Sequence, residues 1–174
     1  MLKRSKMFVF AILFATSMGL ALAASNSFDT FSFSFTASSE VNTQDIQWGP
    51  SDGSMIWINQ PGGENFFVWN TKFYDWESRD PTKEVLTKAW NQDADEGQAS
   101  EPTITKLANG DYVVTGRMIR MSTMITRSLR TYDLDGDGKM DWKTTWNING
   151  KYDLNTIENL ATSSNVVKIQ PNWN

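Results

Sequence analysis

Four aspartates stand close together in the stretch YDLDGDGKMDW. They form the pattern D-x-D-G-D-G-x-x-D, with carboxylates at Asp133, Asp135, Asp137 and Asp141 and a backbone carbonyl at Lys139. These groups can surround one ion, and calcium suits them because it accepts about six to eight oxygens in flexible geometry. Magnesium fits less well because it demands a near-ideal octahedron and keeps its waters. A bound calcium ion would relieve the repulsion among the carboxylates, so the pattern predicts a calcium-binding loop.

The loop also resembles known calcium loops. Gly136 and Gly138 let the chain turn with positive φ, and the stretch is similar to the loops of EF-hands and of the FG-GAP repeats of integrins. An EF-hand would place a glutamate where this chain has Thr144, so the shorter strand–loop–strand form is favoured. An EF-hand-like protein and an acidic turn that binds no ion are the alternatives. The resemblance implies four carboxylate ligands and one carbonyl ligand: Asp133, Asp135, Asp137, Asp141 and Lys139.

The residues around the loop have the patterns of β-strands. The segment FSFSF at 31–35 alternates strictly, which is the period of a half-buried strand. Trp142, Trp146 and Ile148 fall on one face of a strand after the loop. Asn109-Gly110 predicts a type I′ hairpin turn, since that turn needs positive φ at both central positions. Further strand-like runs cover residues 54–59, 66–76, 103–108, 112–119 with a continuation to 132, 140–148 and 166–170.

Two short helices are predicted between these strands. The first has Asp80 as its cap and Pro81 at the first helical position. The second starts near Asn155, with Glu158 three residues on as a capping box. The predicted fold is therefore mainly β, an antiparallel β-sandwich or barrel-like domain with one or two short helices and one calcium loop between strands.

The first residues have the layout of a secretory signal peptide. Over 1–23, three basic residues precede an apolar run that ends in small residues at Ala21 and Ala23. An uncleaved membrane anchor is the alternative. We expect cleavage after Ala23, a single β-rich domain over 24–174, and no stable membrane insertion after cleavage. The protein would then be periplasmic, on the cell surface or extracellular.

The composition of the chain excludes several classes of function. The chain has a formal net charge of −4, and loss of the leader would leave 13 basic against 20 acidic residues. A chain of this charge is a poor candidate for binding nucleic acid. It contains no cysteine, so its stability must come from packing or from a metal. It contains no histidine, which excludes hydrolases with a histidine base and zinc sites with histidine ligands.

Aromatic and charged residues supply the remaining candidates. Most of the eight tryptophans are expected in the core. Trp48 and Trp173 are the least constrained by a strand pattern, so they are predicted to bind ligand, because flat aromatic faces stack on sugar rings. An acidic stretch at 93–96 is interpreted as a solvated loop rather than a second metal site. Four arginines are expected on a solvated face or paired with acidic neighbours, with an anionic ligand site as the alternative: Arg117, Arg120, Arg127 and Arg130.

These features favour an exported, calcium-binding, non-catalytic binding or adhesion module with a glycan or a surface protein as its partner. One alternative is a carboxylate-based hydrolase such as a glycoside hydrolase, which needs two carboxyl groups facing each other across a cleft. Acidic residues are available for it, but no spacing singles out a pair: Glu64, Asp75, Glu77 and Glu101. A structural surface or matrix protein is the other alternative. No catalytic residue is assigned.

Overall fold

The computed structural model describes residues 22–27, 31–37, 42–49, 53–59 and 65–168. This part of the chain contains ten strands and two helices. In chain order they are β1 (Leu22–Ser27), β2 (Phe31–Ala37), β3 (Asn42–Gly49), β4 (Gly53–Asn59), β5 (Phe66–Lys72), α1 (Lys83–Trp90), β6 (Thr103–Lys106), β7 (Tyr112–Arg120), β8 (Thr123–Tyr132), β9 (Trp142–Asn149), α2 (Leu154–Ser163) and β10 (Asn165–Lys168).

The strands form two antiparallel sheets. The smaller has the order β1-β2-β10, and the larger has the order β3-β4-β5-β9-β8-β7-β6. Within the described residues β3 and β6 are the edge strands of the larger sheet, so it is open rather than closed into a barrel. The predicted fold class, a mainly β, sandwich-like domain with two short helices, is confirmed. Strand β9 lies at the centre of the larger sheet, and all of its residues except Asn149 are buried.

One face of the seven-stranded sheet, here called the closed face, is sealed by α2 and by the three-stranded sheet. Phe33 and Phe35 are buried there, as their alternation predicts, and the ring of Phe35 lies edge-on to Trp146 at 5.0 Å. Trp142 and Ile148 are buried on the same face of β9. The prediction that these residues share one face with Trp146 is confirmed.

The opposite face, here called the open face, is covered only in part. Helix α1 packs Leu86 and Trp90 against β7 and β8. A Cβ atom at Gly116 would lie 2.8 Å from the Trp90 ring, so only glycine allows the helix this close to the strand. The Trp90 indole also donates a hydrogen bond to the carbonyl of Arg127 at 3.3 Å. The helix is thereby held over one half of the sheet.

Two turns differ from the predictions. Asn109 does not have positive φ, while Gly110 does (φ +97°), so the expected type I′ turn is wrong and a longer loop closes between Leu107 and Asp111. The strand-like run from 112 to 132 is broken at Met121 and Ser122, with φ of 50° and 61°. The Asp95 carboxylate accepts both of their backbone N–H groups at 2.9 and 3.0 Å and holds them there. Asp95 therefore stabilises this turn and is not part of a solvated loop.

The helix starts also differ. Thr82, not Asp80, caps α1 and accepts from the Val85 N–H, and Pro81 precedes the cap. Asp153 caps α2 by accepting from the N–H groups of residues 155 and 156. Glu158 makes no capping box; it accepts a hydrogen bond from the Thr105 hydroxyl at 2.9 Å. In each case the cap lies two residues from the predicted one, because several side chains near the helix start can accept the capping hydrogen bond.

The ends of two strands and the predicted leader are the last features to compare with the sequence predictions. Strand β5 ends at Lys72 instead of continuing to residue 76, and the last strand is described over Asn165–Lys168, so its predicted end at residue 170 lies outside the described residues. The predicted leader lies outside the described residues apart from Leu22 and Ala23, which belong to β1. No helix in the described ranges is long and apolar enough to cross a membrane. Leader cleavage and export stay predictions.

Candidate functional site

The aspartate loop connects two neighbouring central strands. It leaves β8 after Tyr132 and enters β9 at Trp142, and these two residues are paired across the strands. The Asp141 N–H closes its base by donating to the Tyr132 carbonyl at 2.7 Å. Gly136 and Gly138 adopt positive φ of 80° and 83°, which side chains rarely tolerate. The loop is thus flanked by strands and not by the helices of an EF-hand.

Three of the predicted ligands converge. Asp133, Asp135 and Asp141 each offer a carboxylate oxygen, and these three oxygens lie within 4.8 Å of one another. Calcium binds oxygens at about 2.3–2.6 Å, so two ligands on opposite sides of one ion can be about 5 Å apart. The spacing of the three carboxylates therefore fits a calcium ion held between them.

The other two predicted ligands are placed differently. The Asp137 carboxylate is not in this group; it accepts the Lys139 backbone N–H at 2.8 Å. Asp133 accepts the N–H groups of Gly136 and Gly138 at 2.7 and 2.8 Å, which bends the loop around its carboxylate. Burial alone would raise the pKa of Asp133, but these backbone donors outweigh it and lower the pKa. Asp133 is thus held as an anion.

The loop also contacts charged residues that lie outside it in the sequence. Arg79 forms an ion pair with Asp141, 62 residues away, and donates through Nε to the Met140 carbonyl at 2.9 Å. At the loop's other end the Asp133 N–H donates to Asp111 at 3.1 Å. Asp111 is itself in a buried ion pair with Arg130 at 3.0 Å. Protein charges therefore offset part of the acidic cluster, and an ion would share Asp141 with Arg79.

A groove lies on the open face, beyond the end of α1. Helix α1 packs on β7 and β8, and within the described residues the surface over β5 and β9 forms the floor of a groove. The resulting groove has a volume of about 600 Å³. Its floor is made of the cross-strand pairs Trp69–Thr145 and Thr71–Lys143. The remaining lining residues are Tyr74, Ala89, Gln92, Asp93, Arg120 and Arg127.

The groove contains charged groups that are paired with one another. Asp93 contacts two arginines, Arg127 at 2.6 Å and Arg120 at 2.5 Å. Burial would raise the pKa of Asp93, but its hydrogen bond to Arg127 and the two positive charges lower it. Lys143 donates to Glu77 at 2.5 Å, and burial lowers the pKa of Lys143 despite this partner. Asp93, Arg120 and Arg127 are thus paired residues, as one of the sequence interpretations expected for the arginines.

Aromatic rings continue along the open face beside the groove. Trp57, Phe67 and Trp69 follow one another with ring centroids 4.7 and 5.1 Å apart. Trp57 is 41% exposed, and Trp76, stacked parallel to Tyr74 at 5.9 Å, is 70% exposed. The predicted ligand residues cannot be compared with them, since the side chain of Trp48 and all of Trp173 lie outside the described part. Strand alternation could have found Trp57, because its neighbour Ile58 is buried.

One segment connects the aspartate loop to the groove. Residues 73–80, here called the bridging segment, are held at both ends: the Phe73 N–H donates to the Asp141 carbonyl and the Met140 N–H to the Arg79 carbonyl, both at 2.9 Å. The same segment carries Tyr74 of the groove lining and Glu77, which holds Lys143. The bridging segment therefore links the loop directly to one wall of the groove.

Comparisons of the sequence with models of known families and with curated proteins, and of the fold with solved structures, found no match. No function is carried over from a relative. Inference about function therefore depends on the chemistry of the aspartate loop and of the groove.

Proposed function

We propose that this protein is an exported, calcium-stabilised binding domain, with the aspartate loop as its metal site and a glycan as its ligand. The convergence of the carboxylates of Asp133, Asp135 and Asp141 within 4.8 Å is the observation that carries the proposal. Asp137 and the Lys139 carbonyl would complete the ligand set after a local adjustment of the loop. The ion would neutralise charges that Arg79 only partly offsets.

The groove supports the binding role. It combines ring faces with polar groups, as small-molecule sites do, and its volume of about 600 Å³ lies within their usual range. The bridging segment ties one of its walls to the loop at Asp141. Calcium would therefore stabilise the groove as well as the loop.

The paired state of the groove carboxylates favours binding over hydrolysis. A glycoside hydrolase needs a general acid with a raised pKa opposite a second carboxylate. Asp93 instead has a lowered pKa and contacts two arginines, and Glu77 is held by Lys143. Of the other acidic residues considered, Glu101 is exposed and paired with Lys83, while Glu64 lies outside the described residues.

Thermal unfolding in calcium and in EDTA tests the metal role. Extracellular calcium modules bind with Kd on the order of 10⁻⁴ to 10⁻³ M, and a concentration of about 100 Kd would stabilise the fold by about 2.7 kcal/mol. We expect the melting temperature to rise by several degrees in calcium, and Asp135→Ala to abolish the rise. Asp75→Ala, which removes an exposed aspartate outside the loop, should keep it. Equal melting temperatures with and without calcium for the unaltered protein would refute the proposal.

A further inference from the structure

We propose that the groove on the open face selects a monoanionic sugar, one that carries a carboxylate on its ring. This inference deepens the binding role proposed above and rests on it, since it names the ligand class of the same domain. It does not depend on calcium occupying the loop.

Arg127 provides the first observation. Its side chain is 2% exposed and lines the groove. Nε donates to Asn147 at 2.6 Å, and Nη1 donates to the Trp90 carbonyl at 2.8 Å and to Asp93 at 2.6 Å. Nη2 is buried and donates to no partner within the described residues. A buried charged donor without an acceptor is unfavourable, so this atom is suited to an oxygen supplied by a ligand.

The balance of charge in the groove gives the sign and size of the ligand's charge. Two arginines, Arg120 and Arg127, share the single carboxylate of Asp93, whereas Lys143 has Glu77 to itself. The groove thus keeps an excess of one positive charge in a chain whose net charge is −4. One unmatched positive charge fits a carboxylate. It fits a dianionic phosphate less well, because the carbonyl end of α1, at Trp90, also faces Arg127.

The walls of the groove indicate a ring on the ligand. Trp69 and Tyr74 line the same space as Arg127 and Lys143. The Arg120 guanidinium lies over the Trp69 ring at 4.9 Å, which places a cation and an aromatic face side by side. Thr71 and Thr145 also line this space, and their hydroxyls can exchange hydrogen bonds with sugar hydroxyls. A carboxylated sugar ring matches all three kinds of group.

A matched pair of small sugars tests the inference directly. Methyl β-glucuronide and methyl β-glucoside differ only in whether C6 is a carboxylate, and neither is a strong calcium chelator. We expect ligand-observed NMR titrations of the intact protein to show binding of the glucuronide at least about tenfold tighter than the glucoside, the effect of one charge-assisted hydrogen bond. Arg127→Lys, which keeps the charge but loses the planar fork, should remove most of this preference.

A second variant keeps the test valid if Arg127→Lys disturbs the folding of the buried site. Thr71→Trp would fill the groove from a partly exposed position, and Thr103→Trp places the same side chain on the exposed edge strand β6 as its control. Binding should be lost in the first variant and kept in the second. Equal affinity for the two sugars, no binding of either, equal competition by free acetate, or binding unchanged in Thr71→Trp would each overturn the inference. Repeating the titrations in EDTA separates this outcome from calcium binding by the loop, which is measured without any sugar.

Discussion

The central strand β9 carries different residues on the two faces of the seven-stranded sheet. On the closed face Trp146 is fully buried among Phe33, Phe35 and Phe66, and its indole N–H donates to the Ser164 hydroxyl at 2.8 Å. On the open face, the same strand presents the polar residues Lys143, Thr145 and Asn147, although they too are buried. One strand thus serves an apolar core on one side and a polar groove on the other.

The buried ion pairs of the open face contribute little to the stability of the fold. Buried ion pairs such as Arg127–Asp93 are often no better for stability than apolar residues of the same size, because taking charges out of water is unfavourable. The closed face also carries a buried ion pair, Arg130–Asp111, and there Arg130 donates to the Thr162 carbonyl of α2 as well. The open face differs because its pair Arg127–Asp93 lines a groove, where the proposed ligand would bind.

The largest effect is expected from tryptophan deletion on the closed face. Trp146→Ala should lower the free energy of unfolding by about 3–5 kcal/mol, because a large ring would leave a cavity in the core. Trp57→Ala, at a 41% exposed ring that packs on Phe67, should lower it by only about 1 kcal/mol. Urea unfolding of both variants measures the contrast. Similar losses for the two tryptophans would show that the faces do not differ as described.

The next largest loss of stability is expected from removing a charge in the groove. Asp93→Asn should lower the free energy of unfolding by about 3 kcal/mol, because it leaves Arg127 buried without its counter-charge. Glu101→Gln breaks an exposed ion pair with Lys83 and should leave the free energy of unfolding nearly unchanged, because water screens the two charges. Chemical unfolding at pH 7 compares them.

The stability that Asp93→Asn loses relative to the unaltered protein should depend on pH. The pKa of Asp93 is lower in the folded protein than in the unfolded chain, so its stabilisation is present above the unfolded value, about 4, and is lost as the pH falls through the folded value. The stability difference between the unaltered protein and Asp93→Asn should therefore be constant near neutral pH and shrink below about pH 4. A difference that grows on acidification would show that the carboxylate is not held as an anion.

A smaller effect is expected where α1 approaches the sheet. Gly116→Ala should lower the free energy of unfolding by about 1–3 kcal/mol, because its methyl group would meet the Trp90 ring. Displacing Trp90 would also move the carbonyl that accepts from Arg127. Thermal unfolding that leaves Gly116→Ala unchanged would argue against the close approach.

Local patterns predicted much of the fold. The alternation at Phe33 and Phe35, and the common face of Trp142 and Trp146, depend on the period of a strand and could be read without knowing its neighbours. The position of the aspartate loop between strands followed in the same way. Helix starts were predicted to within a few residues, since several oxygen-bearing side chains near each start compete for the cap.

The features that the sequence did not predict depend on contacts between residues that are far apart in the chain. The turn at Met121 and Ser122 has neither glycine nor asparagine, and it depends on Asp95, which is distant in sequence. The pairing of Arg79 with Asp141 spans 62 residues. The groove exists because β5 pairs with β9, which brings Thr71 opposite Lys143. No local pattern contains this information, so the charged residues of the groove could be assigned only as a set with two alternative roles.

Calorimetric titration of calcium into the metal-free protein tests the central claim most directly. Binding by the loop predicts a saturable heat for one ion per chain, with Kd on the order of 10⁻⁴ to 10⁻³ M, and magnesium should bind much more weakly. Asp135→Ala should remain folded and give no such heat, while Asp75→Ala should bind calcium as the unaltered protein does. No heat of binding to the unaltered protein, or equal binding to Asp135→Ala, would contradict the account and leave the aspartate loop as a turn between two strands.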